Sequence, residues 1–100
     1  MKKIHIIISG KVQGVGFRYW LYQKAKERNV FGWVKNNTAG EVEVVLIGDN
    51  KDVNHILKQC KIGPSFSNVT NIEIADYQKE YLKKSFDILD TIKKINDNLN

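Results

Sequence analysis

The residues best suited to chemistry in this chain lie in one stretch, Ser9-Gly10-Lys11-Val12-Gln13-Gly14-Val15-Gly16-Phe17-Arg18, with three glycines in seven residues and an arginine at its end. An apolar run precedes it and an amphipathic run follows. A strand that empties through such a loop into a helix makes an anion trap. Glycines let successive backbone N–H groups turn toward one point, the helix N-terminus adds partial positive charge, and a guanidinium clamps two oxygens at once. Glycine also relieves strain in any sharp strand-to-helix turn, so the loop alone leaves both readings open.

The elements that must position this loop are legible from periodicity. Ile4, Ile6 and Ile8 alternate with His5, Ile7 and Ser9, which predicts a strand with its stiff β-branched side chains inward. From Arg18 to Asn29 the spacing is helical: Leu21, Tyr22, Ala25 and Phe17 share one side, and Gln23, Lys24, Lys26 and Glu27 the other. A second strand is expected over Val30 to Lys35, then a hairpin at Asn36-Asn37-Thr38-Ala39-Gly40. Val42, Val44 and Leu46 alternate with Glu41, Glu43 and Val45 as a third strand. Gly48-Asp49-Asn50 ends it and is expected to cap a second helix carrying Val53, Ile56, Leu57 and Cys60 on its apolar stripe, closed by Gly63-Pro64. Val69 to Ala75 is a fourth strand with Ile72 and Ile74 inward, Asp76 to Ser85 a polar loop, and Phe86-Asp87-Ile88 a short fifth strand.

The order β-α-β-β-α-β plus a short strand is that of an α+β, ferredoxin-like two-layer sandwich, with two helices on one face of an antiparallel sheet. In that topology the first strand is central and antiparallel to the third. The end of the first therefore lies beside the start of the third, where the hairpin returns. Arg18 with its glycine loop and the turn at Asn36 should meet at one rim of the sheet. One contributes a cation and backbone donors, the other a carboxamide that donates and accepts.

At this point the chain resembles a known family. Ile8 to Arg18 is similar to the first signature of the acylphosphatases. Gly32-Trp33-Val34-Lys35-Asn36, followed after three residues by Gly40, then Val42 and Gly48, is similar to the second. The resemblance runs from Lys2 to Leu89. It implies a small enzyme that hydrolyses the carboxyl-phosphate bond of acyl phosphates to a carboxylate and inorganic phosphate, with no metal and no cofactor. It maps the catalytic arginine onto Arg18 and the catalytic asparagine onto Asn36. Substrate phosphate would be held by Arg18 and the amides of Gln13, Gly14, Val15, Gly16 and Phe17, while Asn36 orients the attacking water. The water's proton would pass to the substrate's own phosphate. Two departures stand out. Leu21 replaces a threonine common near the site, and residues 90–100 extend past the point where most members stop.

The remaining candidates read as structural. His5 and His55 fall on a strand and a helix away from the rim, and no carboxylate pair falls there. Asp49 and Asp52 are expected to serve the helix start. One cysteine and two distant histidines do not make a zinc site. Cys60, Trp33 and Phe17 are expected to pack in the core; Tyr19 and Trp20 either wall the pocket or cover the core. An acyl phosphate needs no general base, because its leaving carboxylate is already stable and positioning with charge stabilisation carries the reaction.

One hundred residues make one domain, read as 1–89 plus a tail at 90–100 in which Ile88, Ile92, Ile95 and Leu99 keep helical spacing. A 42% hydrophobic, 27% charged chain is ordinary globular usage, and its net charge of +5 favours anionic partners. A single cysteine, no signal peptide and no membrane span make a cytoplasmic monomer the expectation, with a small acyl phosphate as the partner. An alternative is a ferredoxin-like nucleic-acid-binding module, since the same sandwich serves RNA recognition. Against it, the aromatic run Gly16 to Trp20 lies at a helix start, and the first and third strands put no aromatic pair on the sheet. A third alternative is a domain like that of the larger hydrogenase maturation factors, which the lack of other domains disfavours.

Overall fold

In the computed structural model, which describes residues 1–91, the alternating isoleucines of β1 (Lys2–Lys11) bury Ile4, Ile6 and Ile8 against two helices. Six further elements follow: α1 (Phe17–Glu27), β2 (Phe31–Asn36), β3 (Val42–Gly48), α2 (Asn50–Cys60), β4 (Asn68–Asp76) and β5 (Phe86–Leu89). The sheet order is β4-β1-β3-β2-β5. The first four strands pair antiparallel, and β5 adds to β2 in parallel, Gly32 opposite Phe86 through Lys35 opposite Leu89. Both helices lie on one face, α1 over β2 and β5, α2 over β3 and β1. Phe17, Leu21 and Ala25 of α1 and Val53, Ile56 and Cys60 of α2 close the core over Val34, Val44 and Leu46. This is the ferredoxin-like sandwich expected from periodicity.

Several side chains lie differently from expectation. Ile72 packs partly against the core, but Ile74 is 49% exposed instead of inward. It points to the helix side, opposite Ile6, yet β4 is an outer strand and the helices pack chiefly over the other four. Trp33 is not in the helix-covered core. Its neighbours Gly32 and Val34 are the buried ones, so Trp33 lies half-buried on the opposite face. Val45, expected to face out, is fully buried there because His5 and Trp33 flank it from the adjacent strands. Those two rings meet edge to face, centroids 6.3 Å apart, joining β1 to β2, while β1 and β3 form no aromatic pair between them. Asp49 is the N-cap of α2, but its side chain makes no capping bond.

β1 also runs beyond Ile8. A register shift between Ser9 and Gly10 lets the strand stay paired to Asn68 and Val69 of β4. At Gly10 the Asn68 carbonyl occupies the space a β-carbon would need. The polar segment before β5 is held by Tyr81, whose hydroxyl donates to the Gly32 carbonyl at 2.9 Å. The helical tail expected from Ile92, Ile95 and Leu99 lies outside the described residues.

Candidate active site

The glycine loop folds as it does because two of its residues sit in the left-handed region, Gly14 at φ 73° and Gly16 at φ 78°. At both, a β-carbon would meet nothing within 4 Å, so the requirement for glycine is conformational and the space beside them is open. Gly16 is the N-cap of α1 and supplies no side chain to satisfy the first N–H groups. The first turn carries no acidic residue either. Uncapped donors at a positive helix end, with glycines in front, are free to meet an anion. Phe17 is buried and anchors the helix start, and Arg18 follows it on the rim.

A cleft of about 240 Å³ opens at this point, lined by Val12, Gly14, Gly16, Phe17, Arg18, Tyr19, Asn36 and Ile88. Arg18 and Asn36 thus share one cleft, although helix α1 separates them in the chain. Among the described residues Arg18 forms no ion pair. The carboxamide oxygen of Asn36 is buried without a hydrogen-bond partner among the described residues. Such an acceptor costs about 1–3 kcal/mol when unmet, which marks a group with a bond still to make.

Asn36 is held at the end of β2 by its backbone and its surroundings. Thr91 Oγ1 donates to the Asn36 carbonyl at 2.7 Å. The hairpin beyond it is fixed by Asn37, whose Oδ1 accepts from the amides of Ala39 and Glu41 at 3.0 and 2.9 Å. Gln13 then ties the glycine loop to that hairpin. Its Nε2 donates to the carbonyls of Asn37 and Glu41, both at 2.9 Å. The side chain of Gln13 is therefore a clamp between the two halves of the rim, and Val15 packs against the core. Neither residue is among those lining the cleft.

Periodicity missed two contributors. Ile88 reaches the cleft because β5 attaches to β2 in parallel, a pairing with no local signal. Thr91 lies beyond the last strand, where no pattern marked it. Of the two rings expected either to wall the pocket or to cover the core, Tyr19 lines the cleft and is 59% exposed, while Trp20 packs partly against the core. Among the described residues no histidine, aspartate or glutamate lines the cleft. His5 instead bonds Glu43 at 2.7 Å on the other face of the sheet, and His55 lies on α2. Burial pushes the Cys60 thiol up to about 12, so it stays protonated in the core. Among the described residues no group of three metal-ligating side chains is gathered, and no helix is long and apolar enough to cross a membrane.

A family model described as Acylphosphatase matches residues 4–88. The chain belongs to the acylphosphatase family. It is 42% identical over 88 residues to the acylphosphatase of Chlorobaculum tepidum, covering 88% of this chain and 96% of that one. The crystal structure of acylphosphatase from Bacillus subtilis superimposes with a TM-score of 0.84 at 36% identity, covering 89% of this chain and 99% of that chain. A structure of full-length HypF in its phosphate- and nucleotide-bound form is similar over 90% of this chain but only 12% of its own, at TM-score 0.81 and 30% identity. Acylphosphatase membership brings with it the hydrolysis of acyl phosphates.

Proposed function

We propose that this chain hydrolyses small acyl phosphates with Arg18 and the amides of residues 13–17 holding the phosphoryl group and Asn36 orienting water. The observation that carries the reading is the meeting of Arg18 and Asn36 in one cleft beside open, left-handed glycines. The guanidinium and the uncapped N–H groups of α1 stabilise charge on the equatorial phosphoryl oxygens. The Asn36 carboxamide accepts a hydrogen bond from water and aims its oxygen at phosphorus. As the new P–O bond forms, the bond from phosphorus to the carboxylate oxygen breaks and its electron pair leaves with the carboxylate. With no carboxylate or imidazole lining the cleft among the described residues, the water's proton passes to a phosphate oxygen. The leaving group is a weak base, so the protein has to position and neutralise, not to protonate.

The test is turnover of benzoyl phosphate by the parent, Arg18→Ala and Asn36→Ala. Each substitution is expected to lower kcat/KM by about 10²–10³, as the loss of an oxyanion donor or of positioning does. Parent-like rates in both variants would overturn the assignment. The nucleic-acid alternative draws on His5 and Trp33 of the open sheet face. That face also presents Glu73 beside Ile7, a carboxylate that repels a phosphate backbone, and Glu43 on the other side, which already engages His5 at 2.7 Å and Lys35 at 3.9 Å.

A further inference from the structure

Building on the phosphate cleft just described, we infer that a groove between α1 and β5 continues it and takes the acyl end of the substrate. It favours acyl phosphates whose acyl group is extended, apolar and ended by an anion. The cleft around Arg18 and Asn36 is small, about 240 Å³. A second cavity of about 490 Å³ adjoins it, and Ile88 is a wall of both. Tyr22, Phe31 and Phe86 give the second cavity apolar lining, and Lys26 and Lys84 give it cations.

Helical spacing builds one wall. Arg18, Tyr22 and Lys26 are four residues apart in succession, so they form one stripe of α1. Tyr19 stacks on Tyr22, with centroids 6.1 Å apart. The stripe runs from a guanidinium, past two rings, to an ammonium that lies 5.3 Å over the Tyr22 ring. Eight residues of helix separate Arg18 from Lys26, about 12 Å along the axis. The other wall is β5, whose alternate residues Phe86 and Ile88 both border the groove. Asp87 also lines it, but its carboxylate is taken by Lys83 at 3.7 Å. Among the described residues neither Lys26 nor Lys84 forms an ion pair. The groove thus has a phosphate subsite at one end, apolar walls in the middle and uncommitted positive charge at the other. An acetyl group would leave most of it empty.

The experiment measures kcat/KM for acetyl phosphate and for monoacyl phosphates of straight-chain dicarboxylic acids of increasing length, each beside its ω-methyl counterpart. Parent and the double variant Lys26→Met/Lys84→Met are compared at low ionic strength. In the parent, kcat/KM is expected to rise with chain length, and the ω-carboxylate to exceed the ω-methyl substrate by about tenfold at the longest length. In the double variant that ratio is expected to fall to about one. Turnover of acetyl phosphate with no preference for length or terminal charge would overturn the groove alone. A carboxylate preference that survives in the double variant would do the same. No turnover of any acyl phosphate by the parent would overturn the reading of the cleft, and the groove with it.

Discussion

At the residue scale the proposed site rests on two side chains with unmet capacity. Arg18 has no counter-ion among the described residues, and the Asn36 carboxamide oxygen has no partner there. A functional group held unsatisfied opposes the fold that carries it. Asn36→Ala removes a buried acceptor that costs about 1–3 kcal/mol when unmet, while Thr91 still bonds the backbone carbonyl at that position. The variant is expected to be at least as stable as the parent in a urea titration, even as hydrolysis falls. A clear loss of stability would mean that Asn36 is a structural residue. The meeting of Arg18 and Asn36 was legible in the sequence, because the topology sets the end of the first strand beside the start of the third. The partners that hold the rim were not. Gln13 reads as one more loop residue until its amide is found between Asn37 and Glu41, and Thr91 carries no pattern of its own.

At the element scale, period alone predicted each strand and helix, because strongly β-branched strands and a clean helical stripe leave little choice of face. Errors fell where a neighbour decides exposure. Ile74 alternates correctly but sits on an edge, and Val45 faces the uncovered side yet is sealed by His5 and Trp33. The docking of α2 has a pH signature. Burial raises the Cys60 thiol from 9.0 to about 12. The unfolded chain therefore loses that proton first as pH rises, and the folded state binds more protons between those values. Stability from this group is full below pH 9 and is lost as pH climbs toward 12, roughly 4 kcal/mol in all. Tyr81, raised by burial and by the Asp87 charge, acts in the same direction. Denaturant midpoints between pH 7 and pH 11 are expected to fall on the alkaline side, with a shallower fall in Cys60→Ala. Equal slopes in parent and variant would remove Cys60 as the cause.

At the scale of the whole molecule, a net charge of +5 surrounds a site for a small anion. Long-range attraction raises the local concentration of such a substrate, and salt screens it once the Debye length falls to about 10 Å near 0.1 M. The KM for acetyl phosphate is expected to rise severalfold between low and physiological ionic strength with kcat nearly constant. A kcat that falls while KM holds would locate the salt effect in the chemistry. The topology has a practical side as well. Because β5 runs parallel to β2, residues 89–91 finish beside Asn36, which is level with Ile8 across Val42, whereas Lys2 pairs with Gly48 at the far rim, about 20 Å back along β1. A fusion joined directly at Thr91 would begin beside Asn36, at the cleft, and crowd incoming substrate. A tether for immobilisation or labelling belongs at Met1, which is exposed and precedes Lys2 at the opposite rim.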